Sequence, residues 1–351
     1  MNNLTTNHKI YYKDSSFMRD VKRGSVDLVV TSPPYPMIEM WDEMFIEQNK
    51  SIKAHLKRGH GKKAFRSMHI FLNTIWDECY HLLKEGGIAC INIGDATRTI
   101  DGNFMIYPNS TYITSKFMRM GFDPLPSIIW KKQTNAPNKF MGSGMLPPGA
   151  YVTLEHEHIL IFRKGRRRLF KSDEEKALRQ SSSYFWEERN KWFSDTWDIK
   201  GVRQKTKSKD VRNKSAAFPF ELPYRLINMF SLKGDTVLDP FCGLGTTNKA
   251  AMASCRNSIG YEIDSNFDEL ISSAIEYELV AESNSIIAGR LLNHLSFVKD
   301  RQAKNKPIKH MNDYYDFPVM TKHEKNLRLE SISSINKVGL GEFEVNYPQF
   351  D

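Results

Sequence analysis

The sequence predicts an α/β fold in which helices flank a mostly parallel sheet. Short apolar runs alternate with longer amphipathic stretches along much of the 351 residues, as they do in repeated strand and helix units. The run Val26-Asp27-Leu28-Val29-Val30 suits a strand buried on both faces. A second strand leads into a glycine turn and a helix between residues 236 and 253. These observations predict one large domain with a sizeable core.

The predicted elements follow one another along the chain. The strand at 26–30 ends before Pro33 and Pro34, because proline has no N–H for strand pairing. Helical periodicity over residues 65–83 stops at Lys84-Glu85-Gly86-Gly87. Strands are also predicted at 88–93, 125–131, 158–163, 236–238 and 258–262, and helices at about 110–120, 218–232, 247–253 and 268–301.

Apolar periodicity fades between residues 166 and 213, where charge, serine and aromatic residues dominate. We interpret this stretch as an inserted lobe whose aromatic residues, at 184–186, 192–193 and 197, form a small core of its own. The lobe, residues 165–214, divides the main domain into residues 1–164 and 215–298. Residues 299–351 form a C-terminal extension to which no chemistry is assigned.

The net charge of +9 is concentrated in two basic patches. Residues 163–214 contain 17 Lys or Arg against 8 Asp or Glu, and residues 50–66 add seven basic residues with no acid. Neutralising phosphates releases counterions, so this distribution favours a polyanionic partner. A solvated, lysine-rich loop is the alternative interpretation.

The cysteines and the N-terminal segment bear on the compartment. The four cysteines include no Cys-x-x-Cys pair, so we predict neither a metal site nor a redox motif. No signal peptide and no membrane-spanning length of apolar residues is evident. These features predict a cytoplasmic protein that does not enter a membrane.

The turn at residues 237–247 indicates a site for an adenosine-type ligand. Gly243 and Gly245 let the backbone adopt φ values closed to other residues and let a ligand approach the main chain. The next strand ends at Glu262, which is placed to accept hydrogen bonds from ribose hydroxyls. Asn248 stands where a dinucleotide turn carries its third glycine, and Asp239 suits a cationic ligand, although it could simply cap the turn. S-adenosylmethionine, a cation without phosphate, fits better than a dinucleotide.

The segment Thr31-Ser32-Pro33-Pro34-Tyr35 follows a strand, and its two prolines make the backbone rigid. An exocyclic amino group of a base is a poor nucleophile because its lone pair is delocalised into the ring. The Ser32 side chain and a proline carbonyl can accept hydrogen bonds from its two N–H groups, which turns the lone pair toward a methyl donor. Tyr35 offers a face for a base turned out of the helix. Taken alone, the segment could also be an ordinary turn or a binding motif.

The two motifs together resemble those of the β class of DNA amino-methyltransferases, which place the catalytic motif before the cofactor motif. The resemblance covers roughly residues 8–285. It implies a Rossmann-like fold of the S-adenosylmethionine-dependent methyltransferases, with residues 1–164 as the catalytic half, 165–214 as the target-recognition lobe and 215–298 as the cofactor half.

The resemblance also implies roles for individual residues. Catalysis would rest on Ser32, Pro33, Pro34 and Tyr35. The cofactor site would comprise Asp14, Asp239, Phe241, Gly243, Gly245, Thr246 and Glu262, with Phe218, Phe220 and Leu222 closing over the methionine end. Members with Ser before Pro-Pro usually methylate cytosine N4, and those with Asp or Asn usually methylate adenine N6, so Ser32 predicts cytosine N4.

Double-stranded DNA is the predicted partner. By resemblance the target-recognition region coincides with the basic stretch after residue 164. Predicted DNA contacts are Arg166, Arg167, Arg168, Arg203, Gln204, Lys205 and Lys207, joined by Lys57 and Arg58 from a segment at 50–66 that we interpret as a mobile loop closing over DNA.

Other functions remain open at this point. An adenine-N6 methyltransferase uses the same scaffold, and a catalytically silent DNA-binding regulator would keep the fold. A dinucleotide-dependent oxidoreductase is disfavoured by the glycine turn. The resemblance further implies a cognate restriction endonuclease in the same system, and the protein is expected to be a monomer or a homodimer.

Overall fold

The computed structural model describes residues 4–132, 141–201 and 218–348. These residues build a large sheet, most of whose strands are parallel, and helices cover both of its faces. The architecture confirms the predicted α/β fold class. No helix among the described residues is both long and apolar enough to cross a membrane.

The strands of the main sheet run in the spatial order β10-β6-β9-β3-β2-β11-β12-β1-β16-β15. Within this sheet β9 and β16 are antiparallel to their neighbours. The strand bounds are β1 Thr5–Tyr11, β2 Val26–Thr31, β3 Leu83–Ile93, β4 Ala96–Ile100, β5 Asn103–Tyr107, β6 Phe122–Lys131, β7 Met141–Gly142, β8 Ala150–Tyr151, β9 His156–Lys164, β10 Thr196–Asp198, β11 Thr236–Asp239, β12 Asn257–Tyr261, β13 His310–Met311, β14 Pro318–Val319, β15 Ser334–Gly339 and β16 Glu342–Asn346.

The helices occupy the connections between these strands. Their bounds are α1 Asp42–Gln48, α2 Ser51–Lys57, α3 Gly61–Leu82, α4 Asn109–Arg119, α5 Asp173–Ser181, α6 Trp186–Trp192, α7 Glu221–Phe230, α8 Thr246–Met252, α9 Phe267–Ser273 and α10 Leu279–Ala303. A π-helical segment, Ala274–Glu278, joins α9 to α10, and short 3₁₀ turns lie at Glu39–Trp41 and Lys322–Glu324.

The central strands are buried on both faces, as their apolar sequences predict. Every residue of β2 is buried. Val29 packs into the core cluster of α3 and α4, whereas Leu28 and Val30 pack into the cluster of α7 and α8 on the other face. The alternation of side chains along a strand therefore divides the core into two layers.

The C-terminal extension completes one side of the sheet. Strand β16 pairs antiparallel with β1, and β15 pairs with β16 at the edge. Phe343 of β16 is 1% exposed and packs with Ile10 and Ile271. Local periodicity does not reveal this arrangement, because β1 reads TTNHKIY and its partner comes from the opposite end of the chain.

The segment at 50–66, predicted as a mobile loop, is helical. It contains α2 and the first turn of α3. Ile52, Ala64 and Phe65 are buried in the main core, so the segment carries an apolar face that the density of lysine and arginine concealed. The prediction of a loop here is wrong.

The described part of the predicted lobe, residues 165–201, does not form a core of its own. Phe185 stacks on His294 of α10 and packs with Phe317 and Leu327 of the C-terminal extension. Arg290 of α10 donates hydrogen bonds to both carboxylate oxygens of Glu188, at 2.6 and 2.7 Å. Trp197 lies on β10, which extends the main sheet beside β6. Phe185 and Trp197 therefore belong to cores shared with the rest of the chain.

A buried histidine occupies β1. His8 is 3% exposed, with Nδ1 2.8 Å from the Ser258 hydroxyl and Nε2 2.8 Å from the Thr6 hydroxyl. Burial lowers the pKa of His8 to about 3. The fold therefore holds this imidazole in its neutral form across the range in which an unfolded chain takes up a proton.

We expect Phe343→Ala to lower the free energy of unfolding by about 3–5 kcal/mol, because it leaves a cavity between β16 and α9. The matched control is Leu340→Ala, at a side chain that is 66% exposed in the adjacent turn, and it should change the free energy by less than about 0.5 kcal/mol. Urea unfolding followed by circular dichroism measures both. Equal effects would show that the terminal strands do not share the core.

We expect His8 to make stability depend on pH. Its folded pKa of about 3 lies below the unfolded value of 6.5, so its contribution is fully present above pH 6.5 and is lost as the pH falls toward 3. Between pH 7.5 and pH 5 the loss amounts to about 2 kcal/mol. Urea unfolding of His8→Gln should show a pH dependence flatter by this amount, whereas the exposed His60→Gln should behave as the unmodified protein does.

Candidate active site

A cleft of about 1160 Å³ lies where the carboxyl ends of the parallel strands meet. Ser32 follows β2, Asn92 lies near the end of β3, and Gly243 and Glu262 follow β11 and β12. Asp14, just after β1, also lines it. Ligands of open α/β sheets bind at this edge, so the fold brings the two sequence motifs into one cavity.

The glycine turn after β11 has the backbone conformation that the sequence predicts. Gly243 and Gly245 have φ values of +53° and +70°, in the left-handed region that favours glycine. The Cys242 amide donates to the Tyr261 carbonyl at 2.8 Å, and a Cβ at Gly260 would lie only 2.8 Å from the Cys242 Sγ. The turn therefore packs closely on β12.

Glu262 lies beside this turn, and its carboxylate can accept further hydrogen bonds. Its Oε2 accepts from the Gly243 amide at 2.7 Å, and its Oε1 accepts from the Asp264 amide at 3.0 Å. Burial raises the pKa of this carboxyl. Each carboxylate oxygen has a further lone pair, so the side chain can also accept from vicinal hydroxyls of a ligand in the cleft.

Asp239 connects the two motifs rather than facing the cleft. It is 1% exposed. Its Oδ1 accepts from the Thr31 hydroxyl at 2.5 Å and from the Phe241 amide at 3.0 Å. Burial raises the pKa of Asp239, and the hydroxyls of Thr247 and Thr31 act in the opposite direction. The carboxylate therefore holds the end of β2 against the cofactor turn.

A hydrogen-bonded network occupies the catalytic end of the cleft. The Tyr35 hydroxyl lies 3.1 Å from the Ser32 Oγ and donates to Glu157 Oε2 at 2.8 Å. Asn92 Nδ2 donates to the same Glu157 oxygen at 2.7 Å. Lys132 forms a salt bridge with Glu157 Oε1. Burial, and then the charge of Glu157, raises the pKa of Tyr35 well above its usual value.

The charges around the cleft suit a cationic ligand. Carboxylates of Asp14, Glu262 and Asp264 line its cofactor end. Among the described residues, Lys13 is the basic residue that lines the same end. The apolar surface comes from Phe218, Phe241, Leu244, Ile263 and Phe267. An aromatic wall with carboxylates fits an adenosine that carries positive charge better than one that carries phosphates.

The structure divides the residues predicted for the cofactor into two groups. Those that line the cleft are Asp14, Phe218, Phe241, Gly243, Thr246 and Glu262. Asp239 and Gly245 shape the turn from behind, and Gly245 caps α8. Leu222 is fully buried on α7, and Phe220 stacks on Tyr224. Leu222 and Phe220 therefore pack into the core around α7 and do not line the cleft.

The predicted catalytic residues lie together in the cleft. Ser32, Pro33, Pro34 and Tyr35 all contribute to its wall. A Cβ at Gly94 would lie 3.0 Å from the Tyr35 ring, so glycine at this position lets the ring pack against the end of β3. The orientation of Tyr35 therefore depends on Gly94 and on its hydroxyl partners.

The arginines at 166–168 lie at the edge of the sheet opposite the cleft. Antiparallel β9 carries the chain to the amino ends of the parallel strands, where Arg168 Nη1 donates to both oxygens of Asp235 at 2.9 and 2.8 Å. The Arg166 amide donates to Glu85 at 2.9 Å. The predicted DNA contacts Arg166, Arg167 and Arg168 do not line the cleft. Charge density along the chain gives no information about which edge a residue reaches.

Lys57 and Arg58 are exposed and do not themselves line the cleft. They end α2, which follows α1, and α1 lines the cleft through Met44 and Glu47. A Cβ at Gly59 would lie 2.7 Å from the Asp101 side chain, so the end of α2 contacts the β4–β5 hairpin. Arg203, Gln204, Lys205 and Lys207 lie outside the described residues.

Asn92, Lys132 and Glu157 were missed by the sequence analysis. Glu157 belongs to the stretch HEH at the start of β9, directly before an apolar run. A charged residue that enters a buried strand is a usable signal, since burial of a carboxylate requires partners. The partners of Glu157 come from the ends of β2, β3 and β6, and no spacing in the sequence connects them.

The chain matches known proteins over most of its length. A family model described as DNA methylase matches residues 26–273. A type II methyltransferase of Methanothermobacter thermautotrophicus is 48% identical over 348 residues, which cover 99% of this chain and 96% of that protein. A type II methyltransferase of Methanocaldococcus jannaschii is 52% identical over 78% of this chain and 92% of its own length.

Solved structures share the fold. A candidate DNA modification methylase of Thermus thermophilus, in complex with S-adenosylmethionine, superposes with a TM-score of 0.60 at 29% identity, covering 78% of this chain and 94% of its own. The cytosine-N4-specific PvuII DNA methyltransferase gives a TM-score of 0.52 at 20% identity over 81% of this chain and 94% of its own. With a family match over residues 26–273 and 48% identity along nearly its whole length, the chain belongs to the DNA methylase family, the amino-methyltransferases that its motifs predicted.

Proposed function

We propose that this DNA methyltransferase methylates the exocyclic N4 of cytosine in duplex DNA. The observation that carries the proposal is that Ser32 shares one cleft with the glycine turn and Glu262. Ser32 precedes Pro-Pro-Tyr, at the position where family members that methylate adenine usually carry Asp or Asn. The names of its archaeal relatives as type II methyltransferases support a role as the modification enzyme of a restriction system.

The cofactor is S-adenosylmethionine, and the cofactor end of the cleft fits it. Glu262 would hold the ribose hydroxyls, Asp14 would lie at the adenine, and Gly243 would let the ligand approach the main chain. When bound, the cofactor supplies an electrophilic methyl group. The residues of this chain bind it, exclude water and orient the group that receives the methyl.

The catalytic motif orients the amino group that receives the methyl. The Ser32 hydroxyl and a proline carbonyl of the motif accept hydrogen bonds from the two amino N–H groups of the base, so that the nitrogen becomes pyramidal and presents its lone pair. The base reaches the cleft by leaving the duplex, because the atom is inaccessible inside it. Tyr35 lies beside Ser32 in the cleft wall and offers its ring for stacking.

Lys57 and Arg58 are proposed to contact the DNA backbone beside the cleft. Both are exposed at the end of α2, and the preceding α1 lines the cleft. Phosphate contacts position a duplex without reading its sequence. The recognition sequence would be read by other residues.

We expect Ser32→Ala to reduce the single-turnover rate of methyl transfer roughly a hundredfold, because one acceptor for the amino N–H groups is lost. Affinity for S-adenosylmethionine, measured by calorimetry, should remain within a factor of about two. The assay uses duplex DNA and methyl-labelled cofactor, followed by digestion to nucleosides.

The labelled nucleoside distinguishes the candidate functions. N4-methylcytosine is the expected product, N6-methyladenine would reverse the choice of base, and no label would favour a DNA-binding regulator. Ser273→Ala, at an exposed serine on α9, is the matched control and should retain the unmodified rate.

We expect Glu262→Gln to weaken binding of S-adenosylmethionine by roughly tenfold or more, because a charge-assisted acceptor for the ribose is replaced by a neutral one. The exposed Glu276→Gln on the π-helical segment should bind as the unmodified protein does. Calorimetric titration measures both. Unchanged affinity in Glu262→Gln would place the ribose elsewhere in the cleft.

A further inference from the structure

A buried carboxylate lies at the catalytic end of the cleft. Glu157 is 7% exposed and lines the cavity beside Ser32 and Tyr35. Its Oε2 accepts from the Tyr35 hydroxyl and from Asn92, and its Oε1 pairs with Lys132. Burial of a carboxylate held in this way is energetically costly, and the hydrogen bonds that Ser32 and a proline carbonyl accept from the base do not require it.

The hydrogen bonds of this network donate in one order, from Ser32 to Tyr35 and from Tyr35 to Glu157. An ionised carboxylate only accepts hydrogen bonds, so Tyr35 must donate to Glu157. The Tyr35 oxygen is then free to accept from the Ser32 hydroxyl, 3.1 Å away. Asn92 Nδ2 can only donate, and it lies 2.8 Å from the Tyr35 oxygen and 3.3 Å from the Ser32 Oγ. With its proton directed to Tyr35, Ser32 keeps lone pairs with which to accept.

Methyl transfer to an amino group requires that a proton leave the nitrogen. The neutral nitrogen uses its lone pair to bond the methyl carbon, so it carries a positive charge until one of its two protons leaves. Ser32 accepts a hydrogen bond from that nitrogen in the proposed function. A hydroxyl cannot keep the proton, and a group of suitable basicity must receive it.

We propose, on the basis of that function, that Glu157 is the terminal proton acceptor of a relay through Ser32 and Tyr35. The proton on nitrogen passes to Ser32 Oγ, the proton of Ser32 passes to Tyr35 Oη, and that of Tyr35 passes to Glu157 Oε2. The relay ends with a neutral methylamino group, two neutral hydroxyls and a protonated Glu157. Glu157 returns its proton to water once the product has left.

The surroundings of the relay agree with this direction. Burial raises the pKa of Tyr35 well above its usual value, so a phenolate is not a resting point and the proton continues to Glu157. Lys132, whose side chain is 42% exposed, pairs with Glu157 and borders solvent. Asn92 holds Glu157 and Tyr35 together without supplying or taking a proton.

Two variants separate proton transfer from simple positioning. Glu157→Gln keeps the size of the side chain and an acceptor oxygen for Tyr35 but cannot accept a proton at neutral pH. Glu157→Asp keeps the acid and shortens the reach. If Glu157 accepts a proton, Glu157→Asp should retain more activity than Glu157→Gln. If Glu157 only positions Tyr35, Glu157→Gln should retain more activity than Glu157→Asp.

The test measures single-turnover methyl transfer to duplex DNA as a function of pH. We expect Glu157→Gln to be roughly a hundredfold slower, with affinity for S-adenosylmethionine and DNA unchanged within about threefold. Because this variant lacks the proton acceptor, its dependence of the rate on pH should differ from that of the unmodified protein. The exposed Glu155→Gln, two residues earlier, is the matched control and should retain both the rate and the pH profile.

Tyr35→Phe removes the middle of the relay and tests it independently. The double variant Tyr35→Phe/Glu157→Gln should be no slower than the slower single variant, because both interrupt one path. Multiplicative losses would overturn the relay, as would a Glu157→Gln enzyme with unmodified rate and pH profile. If the unmodified protein labels no base amino group, the proposed function itself fails, which is a distinct result.

Discussion

The buried hydrogen bond from Thr31 to Asp239 is the contact on which the arrangement of the site depends. It joins residues 208 positions apart, at the ends of two adjacent parallel strands. Asp239 also organises the turn through the Phe241 amide. Because both strands end at this point, the catalytic motif and the cofactor turn open into the same cleft. The distance between the two motifs in sequence is therefore immaterial to the chemistry.

The carboxylates of the site differ in function because they differ in unused hydrogen-bonding capacity. Asp239 is fully enclosed and its Oδ1 is occupied by protein donors, so it stabilises the turn. Glu262 meets one amide with each oxygen and still faces the cleft. Glu157 is held by a hydroxyl, an amide and an ammonium, in contact with the residues that would meet the base. Burial alone does not distinguish these roles.

The basic residues illustrate how topology limits arguments from charge. Arg168 and Lys57 belong to comparably basic segments, yet Arg168 pairs with Asp235 at the amino ends of the strands, whereas Lys57 is exposed at the end of α2. The antiparallel course of β9 produces this separation. Arg168 thus pairs with a carboxylate at one edge of the sheet, while the proposed chemistry adjoins the other edge.

The sequence by itself determined the central strands, the glycine turn and the catalytic motif, because each depends on neighbouring residues: apolar runs for β2 and β3, positive φ at Gly243 and Gly245, and rigid prolines after Thr31. Only the tertiary structure decided what depends on distant partners. No spacing in the sequence connects the partners in the pairing of β1 with β16, in the packing of Phe185 on α10, or in the assembly of Asn92, Lys132 and Glu157 around Tyr35. Side chains from separate strands meet there because the sheet gathers their ends at one edge.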